Sequence, residues 1–167
     1  EIDEKEMMVK VVKAVQGVVD LPLQLDSTKP EVLEAGLRIY NGRAIVNSVN
    51  GEEKSLTEIL PIVAKYGASV VGLTLDEDGI PETTEKRVEI AERIIKRATA
   101  LGIREEDIYI DCLTLTVSAQ QSGAVQTLDA IEIVKSKYKV KTVLGVSNIS
   151  FGLPHRPLLN QTFLTMA

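Results

Sequence analysis

The sequence predicts an α/β fold, an incomplete TIM-type (β/α) barrel of about five consecutive parallel strand-and-helix units. Five short, nearly all-apolar runs each close on a polar residue: PLQLD on Asp26, RAIVN on Asn47, SVVGLT on Thr74, IYID on Asp111 and TVLGVSN on Asn148. Runs of that length and composition are buried on both faces, as strands of a parallel sheet wrapped in helices are. Between the runs the apolar period becomes helical, and short connections between alternating strands and helices are the mark of right-handed parallel units. The polar run ends would then stand at one rim, which in a β/α barrel is the functional face. An open doubly wound sheet would call for a glycine-rich phosphate loop or a clear switch point, and the sequence offers neither.

The elements follow in order. EIDEKEMMVKVVKAV sets Met8, Val11, Val12 and Val15 at helical spacing and is too charged for a signal peptide, so the chain is expected to begin inside a helix with no strand before it. The run ending at Asp26 leads to a helix at about 30–40, with Ser27 or Thr28 as cap and Pro30 in the first turn. Asn47 precedes a helix at about 54–66 and Thr74 one at about 84–101, the latter capped by Thr83 or Thr84. Gly67 and Gly102 sit just past these two helices, where a left-handed residue ends the spiral. Asp111 and Asn148 precede helices at about 124–137 and 156–167. No linker or low-complexity stretch intervenes, so residues 1–167 are expected to form a single domain without internal boundary.

Composition narrows the classes. The 167 residues, 44% of them hydrophobic, suffice for one domain with a real core. A full eight-unit barrel needs about 250 residues. The charge of −5 with scattered Lys and Arg gives no electrostatic footprint for nucleic acid. Every apolar run is far shorter than the ~20 residues a bilayer span requires. The lone cysteine, Cys112, excludes an internal disulfide and fits a reducing cytoplasm. His155 is the only histidine, in a Gly-Leu-Pro-His loop; without cysteine partners it makes no zinc site, so no metal is expected in this chain. Thr114, Thr116 and Ser118 alternate like an exposed loop, and Cys112 should point away from Asp111 as a small core residue.

Asp26, Asn47, Asp111 and Asn148 carry the chemistry. A carboxylate accepts two parallel N–H bonds from a ring N–H and its neighbouring amino group, and a carboxamide donates and accepts at once. Two of each suit a planar heterocycle such as a pterin or purine, not a phosphate. A lone Asp or Asn at a strand end more often caps the next helix. Four at equivalent positions shift the balance toward a site.

The segments LQLDST, RAIVNSVN, VVGLTLDEDGIP, DIYIDCLTLTVSA and KTVLGVSNISFGLPHRPLLNQTFLTMA resemble, in order, the methyltetrahydrofolate-binding (pterin-binding) methyltransferase domain. That domain occurs in cobalamin-dependent methionine synthase and as the separate corrinoid methyltransferase of acetogens. SNISFGLP followed by Arg156 and LLNQTFL is the most specific stretch, nearest the methionine synthase version. The resemblance implies that Asp26, Asn47 and Asp111 hydrogen-bond the pterin ring, with Asp111 on the ring N3 and 2-amino group. It implies that Asn148 bonds near N5, where the methyl group leaves, and assigns the catalytic roles to Asn148 and Asp111. Ser147 and Gly145 line the same strand end, Arg156 lies near the outer pterin or its tail, and Asp76 is a further rim residue. The implied reaction transfers the N5 methyl of 5-methyltetrahydrofolate to a cob(I)alamin or corrinoid cofactor held by a partner domain or protein, in methionine synthesis or another corrinoid pathway.

Demethylating a tertiary amine requires positive charge on the leaving nitrogen, yet no lone buried Glu or His stands ready as general acid. Asn148 can instead present its carbonyl oxygen to a protonated N5, with the proton arriving through solvent. Dihydropteroate synthase is the alternative within the fold, but its late strand should end in a Ser-Arg-Lys-type segment where this chain has Ser147-Asn148-Ile149-Ser150. A catalytically inactive part of a pterin-binding domain is the other alternative. Measured against the resembled barrel, the chain lacks the first two strands and the last, which would leave two open edges that invite pairing, including a homodimer. The isolated 167-residue chain is therefore expected to be poorly stable. Thermal unfolding followed by circular dichroism checks this, and a cooperative high-temperature melt of the monomer would contradict it.

Overall fold

In the computed structural model, which describes residues 3–167, the first element is a helix, α1 (Glu4–Gln16). The Asp3 carboxylate caps it, accepting from the backbone N–H of Lys5 and Glu6 at 2.9 and 3.1 Å. The chain thus enters this helix at a capped first turn and not in its middle; Glu1 and Ile2 lie outside the described residues. Of its expected apolar face, Val12 is buried and Met8 and Val15 are half-buried, while Val11 is exposed.

Five strand-and-helix units follow: β1 (Gln24–Asp26), α2 (Pro30–Ile39), β2 (Ile45–Asn50), α3 (Glu53–Tyr66), β3 (Ser69–Leu73), α4 (Thr84–Ala100), β4 (Ile108–Asp111), α5 (Gly123–Lys137), β5 (Lys141–Val143) and α6 (Arg156–Met166). Short 3-10 turns lie at Glu105–Asp107 and Val146–Ser150. The helices fall where the periodicity puts them, and Gly67 and Gly102 are left-handed, at φ +62° and +84°. Thr83 is the α4 cap, accepting from the Lys86 N–H at 3.3 Å. At α2 the expected cap is displaced: Lys29 occupies the position directly before Pro30, and Ser27 Oγ accepts the Lys29 N–H at 3.1 Å, closing a local turn.

All pairings are parallel, in the spatial order β1-β2-β3-β4-β5. Right-handed crossovers between successive neighbours throw every helix to the same face. That makes the sheet an arc of a β/α barrel, five strands long and unclosed, as the sequence predicts. Leu25, Val46, Val70, Ile108, Ile110 and Cys112 point toward the helices and are buried against residues such as Leu33, Leu60, Ile90, Ile94 and Val134. The residues between them face the barrel interior. One interior level, set by register, runs Asp26, Asn47, Val71, Tyr109, Lys141; the next toward the strand ends runs Asn50, Leu73, Asp111, Val143.

At the opposite, N-terminal end of the strands, Asp107 ties three connections together. Its carboxylate accepts from Arg43 Nη2 at 2.6 Å and Arg104 Nε at 2.9 Å, with Ser69 Oγ at 3.4 Å. Its side chain is 7% exposed, so water cannot replace these partners. Asp107→Ala is expected to cost about 1–3 kcal/mol. Urea denaturation measures the loss, and ligand binding at the far rim should be unchanged.

Candidate functional site

The C-terminal rim gathers the predicted residues in three groups. In the first, Asn47 Nδ2 donates to Asp26 Oδ2 at 3.0 Å across the β1–β2 pair, where the two residues are in register. Asn47 does not end its strand: β2 continues to Asn50 through a register shift between Asn47 and Val49. The bulge inserts Ser48, as bulges next to functional sites do, and the Asn47 side chain stays on the interior face beside Asp26. A cleft of about 430 Å³ lies between Thr28, Ser48, Asn50, Lys54 and Ser55, and neither Asp26 nor Asn47 lines it.

Asp111 forms the second group. It ends β4 on the same interior face, one level above Asn47 and hence about 7 Å further along the strand direction. Its Oδ1 accepts the Leu113 N–H at 2.8 Å. Half-burial pushes the carboxyl above the ordinary aspartate range, and the Leu113 N–H pulls it part of the way back. Cys112 points to the other side, as expected, fully buried among the helices. Burial, and secondarily the neighbouring Asp111, push its thiol up to about 12.

The third group is the turn after β5. The run TVLGVSN is not strand to its end: β5 stops at Val143, and Ser147 and Asn148 sit exposed on the 3-10 turn Val146–Ser150. A Cβ at Gly145 would lie 2.9 Å from Asn148 Nδ2, so only glycine lets the carboxamide fold back over the backbone. Arg156, at the start of α6, donates to Ser147 O through Nη2 and to Ser150 Oγ through Nε, both at 3.1 Å. Ser150 Oγ in turn donates to Asn160 Oδ1 at 2.7 Å. The guanidinium therefore braces the turn that carries Asn148.

Two expected rim residues lie elsewhere. Asp76 is buried with its carboxylate toward α4, 3.7 Å from Arg93 and 3.9 Å from Lys86, and it accepts the Asp78 N–H at 3.2 Å in the β3–α4 loop. Thr74 follows Leu73, which shares Asp111's level on the interior face, so the period of two turns Thr74 toward the helices, where it is fully buried.

Three features lie beyond the sequence reading. Thr114 is buried and not exposed, and Thr116 staples the β4–α5 loop to the Asn148 turn, donating to Phe151 O at 2.8 Å while the Val117 N–H donates to Ile149 O at 3.1 Å. These two bonds hold the Asp111 and Asn148 segments side by side. Tyr109 and Lys141 face the interior one level below Asp111, the Lys141 ammonium 4.9 Å from the Tyr109 ring centre. Arg87 is fully buried behind β4. The sequence does carry a signal for it, since it falls on the α4 core face in line with Ile90, Ala91, Ile94 and Ile95. Among the described residues no three His, Cys, Asp or Glu side chains converge to hold a metal ion, and no helix is long and apolar enough to cross a membrane.

A sheet of this order with carboxylates and carboxamides on its C-terminal rim defines a class, and sequence comparison specifies it. The chain belongs to the pterin binding enzyme family, whose profile matches residues 1–166. It is 45% identical over 157 residues to methionine synthase of Mycobacterium leprae, covering 86% of this chain and 13% of that protein. It is 34% identical over 167 residues to methylcorrinoid:tetrahydrofolate methyltransferase of Eubacterium limosum, covering 98% of this chain and 62% of that protein. Among solved structures, a dihydropteroate synthetase with its product superposes at TM-score 0.72 with 18% identity, over 100% of this chain and 66% of that one. The Yersinia pestis synthase superposes at 0.65 with 17% identity, over 99% and 64%. The chain thus spans less than two thirds of the length of each of these relatives, and its likeness to the synthases is one of fold.

With its thiol buried and held protonated, Cys112 should resist iodoacetamide in the native protein at pH 8 and react once urea unfolds the chain. Mass spectrometry of the alkylated protein checks this; rapid native labelling would show the β4 end to be open.

Proposed function

We propose that this chain binds 5-methyltetrahydrofolate on its strand-end rim and takes part in methyl transfer between the folate N5 and a corrinoid carried by a partner domain. Residues 1–167 act as one unit of a pterin-binding barrel in this reading, which the single core cluster running from Val12 to Val140 supports. The observation that carries it is the neutral turn Ser147-Asn148, braced by Arg156 and held beside Asp111 by the Thr116 and Val117 bonds. Synthesis of a pteroate from a pyrophosphate ester would call for cations on that turn. Arg156, the cation at hand, is engaged with Ser147 and Ser150.

In this assignment Asp111 accepts the ring N3–H and 2-amino group, and the Asp26–Asn47 pair meets another polar edge of the ring. The raised carboxyl of Asp111 favours recognition by a ligand that supplies two N–H donors, because the ionised form regains in the complex the hydrogen bonds it lacks in the free protein. Asn148 turns its carbonyl oxygen to N5 when that nitrogen is protonated, so its bond is strongest as the nitrogen becomes a leaving group. Water supplies the proton, the turn being exposed. The corrinoid, bound by the partner, supplies the methyl acceptor. The same contacts serve the reverse direction, which is the one the Eubacterium limosum relative's name states. A reducing, cytoplasmic setting suits the single buried thiol.

Calorimetry tests the substrate class: methyltetrahydrofolate should bind and a dihydropterin pyrophosphate should bind more weakly, with the opposite order favouring pteroate synthesis. Asn148→Ala, assayed with a reduced corrinoid protein, should slow methyl transfer roughly 100-fold, the scale of losing one preorganised transition-state hydrogen bond, while changing pterin affinity by less than about threefold. Equal losses in rate and affinity would remove the N5 role.

A further inference from the structure

Arg87 is a fully buried cation with no carboxylate among its hydrogen-bond partners. Its Nη1 lies 2.7 Å from Cys112 O, 2.6 Å from Leu113 O and 2.7 Å from Thr127 Oγ1, three acceptors sharing its two N–H groups, and its Nε donates to Pro81 O at 3.0 Å. Thr127 Oγ1, on α5, has two acceptors for its one hydroxyl hydrogen, Gly123 O at 2.9 Å and Leu113 O at 3.1 Å. Burying a guanidinium against neutral carbonyls is costly, and simple core filling would be better served by an apolar side chain. The charge is directed at two consecutive carbonyls immediately after Asp111.

Leu113 explains the need. It is a non-glycine residue at φ +55°, a left-handed conformation that its side chain disfavours. Its N–H, in the peptide just before this turn, donates back to Asp111 Oδ1 at 2.8 Å. Clamping the carbonyls on both sides of the Leu113 amide and Cα, as Arg87 does, fixes the peptide that makes this bond.

We propose that Arg87 is a positioning residue for Asp111: from behind β4 it holds the Leu113 turn, whose N–H keeps the Asp111 carboxylate aimed at the mouth. The role of Arg87 in affinity rests on the reading of Asp111 as the ring contact; its effect on the carboxylate itself does not. The surroundings of that carboxylate leave few other electrostatic controls. Leu73 and Val143 flank it at its own level, Tyr109 and Lys141 stand one level below, and Cys112 and Arg87 lie on the far side of the strand.

The test compares Arg87→Met, which keeps length without charge, Arg87→Lys, which keeps charge without the fork, Asp111→Asn and the two double variants. Methyltetrahydrofolate affinity is read by calorimetry across pH, and the Asp111 carboxyl by carbon NMR titration without ligand. Loss of the Leu113 N–H bond lets burial act unopposed, so in both Arg87 variants the Asp111 midpoint should move to higher pH. Affinity at pH 7 should fall roughly tenfold, the scale of one hydrogen bond to a charged group, and binding should fail at a higher pH on acidification. In the Asp111→Asn background the Arg87 substitutions should cost nothing further. An unmoved carboxyl midpoint, or equal losses in both backgrounds, overturns the proposal even where thermal stability drops. Should Asp111→Asn bind as well as the parent, the ring-contact reading falls, and the NMR midpoint in Arg87→Lys still decides whether Arg87 positions the carboxylate. Arg87→Lys also serves if Arg87→Met does not fold.

Discussion

Parallel pairing of each strand with its neighbour in the chain constrains everything else in this molecule. With right-handed crossovers it leaves one face of the sheet for helices and the other for the barrel interior. The strand period of two then decides, residue by residue, which chemistry each position can take. Asp111 and Cys112 are adjacent in sequence and opposite in fate: one half-buried on the interior face, the other sealed beneath α4 and α5 with its thiol held protonated. Thr74 falls on Cys112's side and is buried, while Asp26 and Asn47 fall on Asp111's side and pair with each other.

The rim is held by struts that approach it from the helix side or from the next loop. Arg156 braces the Asn148 turn, and Thr116 and Val117 join that turn to the segment after Asp111. Asp76 belongs with the struts: facing Lys86 and Arg93, it fixes the β3–α4 loop and leaves the mouth to other residues. Such supports hold the backbone of the rim segments in place independently of any ligand.

Local pattern suffices for the elements. The five strands and the helices after them begin where apolar periodicity places them, because each helix buries one face and β1 to β4 bury their helix-facing residues, β3 nearly all of its length. Departures occur where a non-local fact intervenes. The bulge at Ser48 depends on the register with β3, so the place of Asn47 inside its strand is not written in the run RAIVN itself. β5 stops at Val143 because the chain there turns to meet the β4–α5 loop, a contact no run of apolar residues announces. The alternation of Thr114, Thr116 and Ser118 reads as loop, yet Thr116 finds its partner at Phe151, far along the chain. Arg87 is the legible exception: a charge in helical phase with Ile90, Ala91 and Ile94 marks a buried polar contact from the sequence pattern alone.

Fold and chemistry separate cleanly in the comparisons. Dihydropteroate synthases share the backbone at 17–18% identity, and the methionine synthase match reaches 45%. A shared fold does not fix the chemistry, so two reactions on one such frame must be told apart by the residues at the rim. Displacing a pyrophosphate requires cations at that point; releasing a methyl group from a protonated amine is hindered by them, because a nearby positive charge opposes protonation of the nitrogen. In the methyl-transfer reading proposed above, the neutral carboxamide at position 148 meets the second requirement, while the guanidinium of Arg156 is engaged in bracing the turn through Ser147 and Ser150.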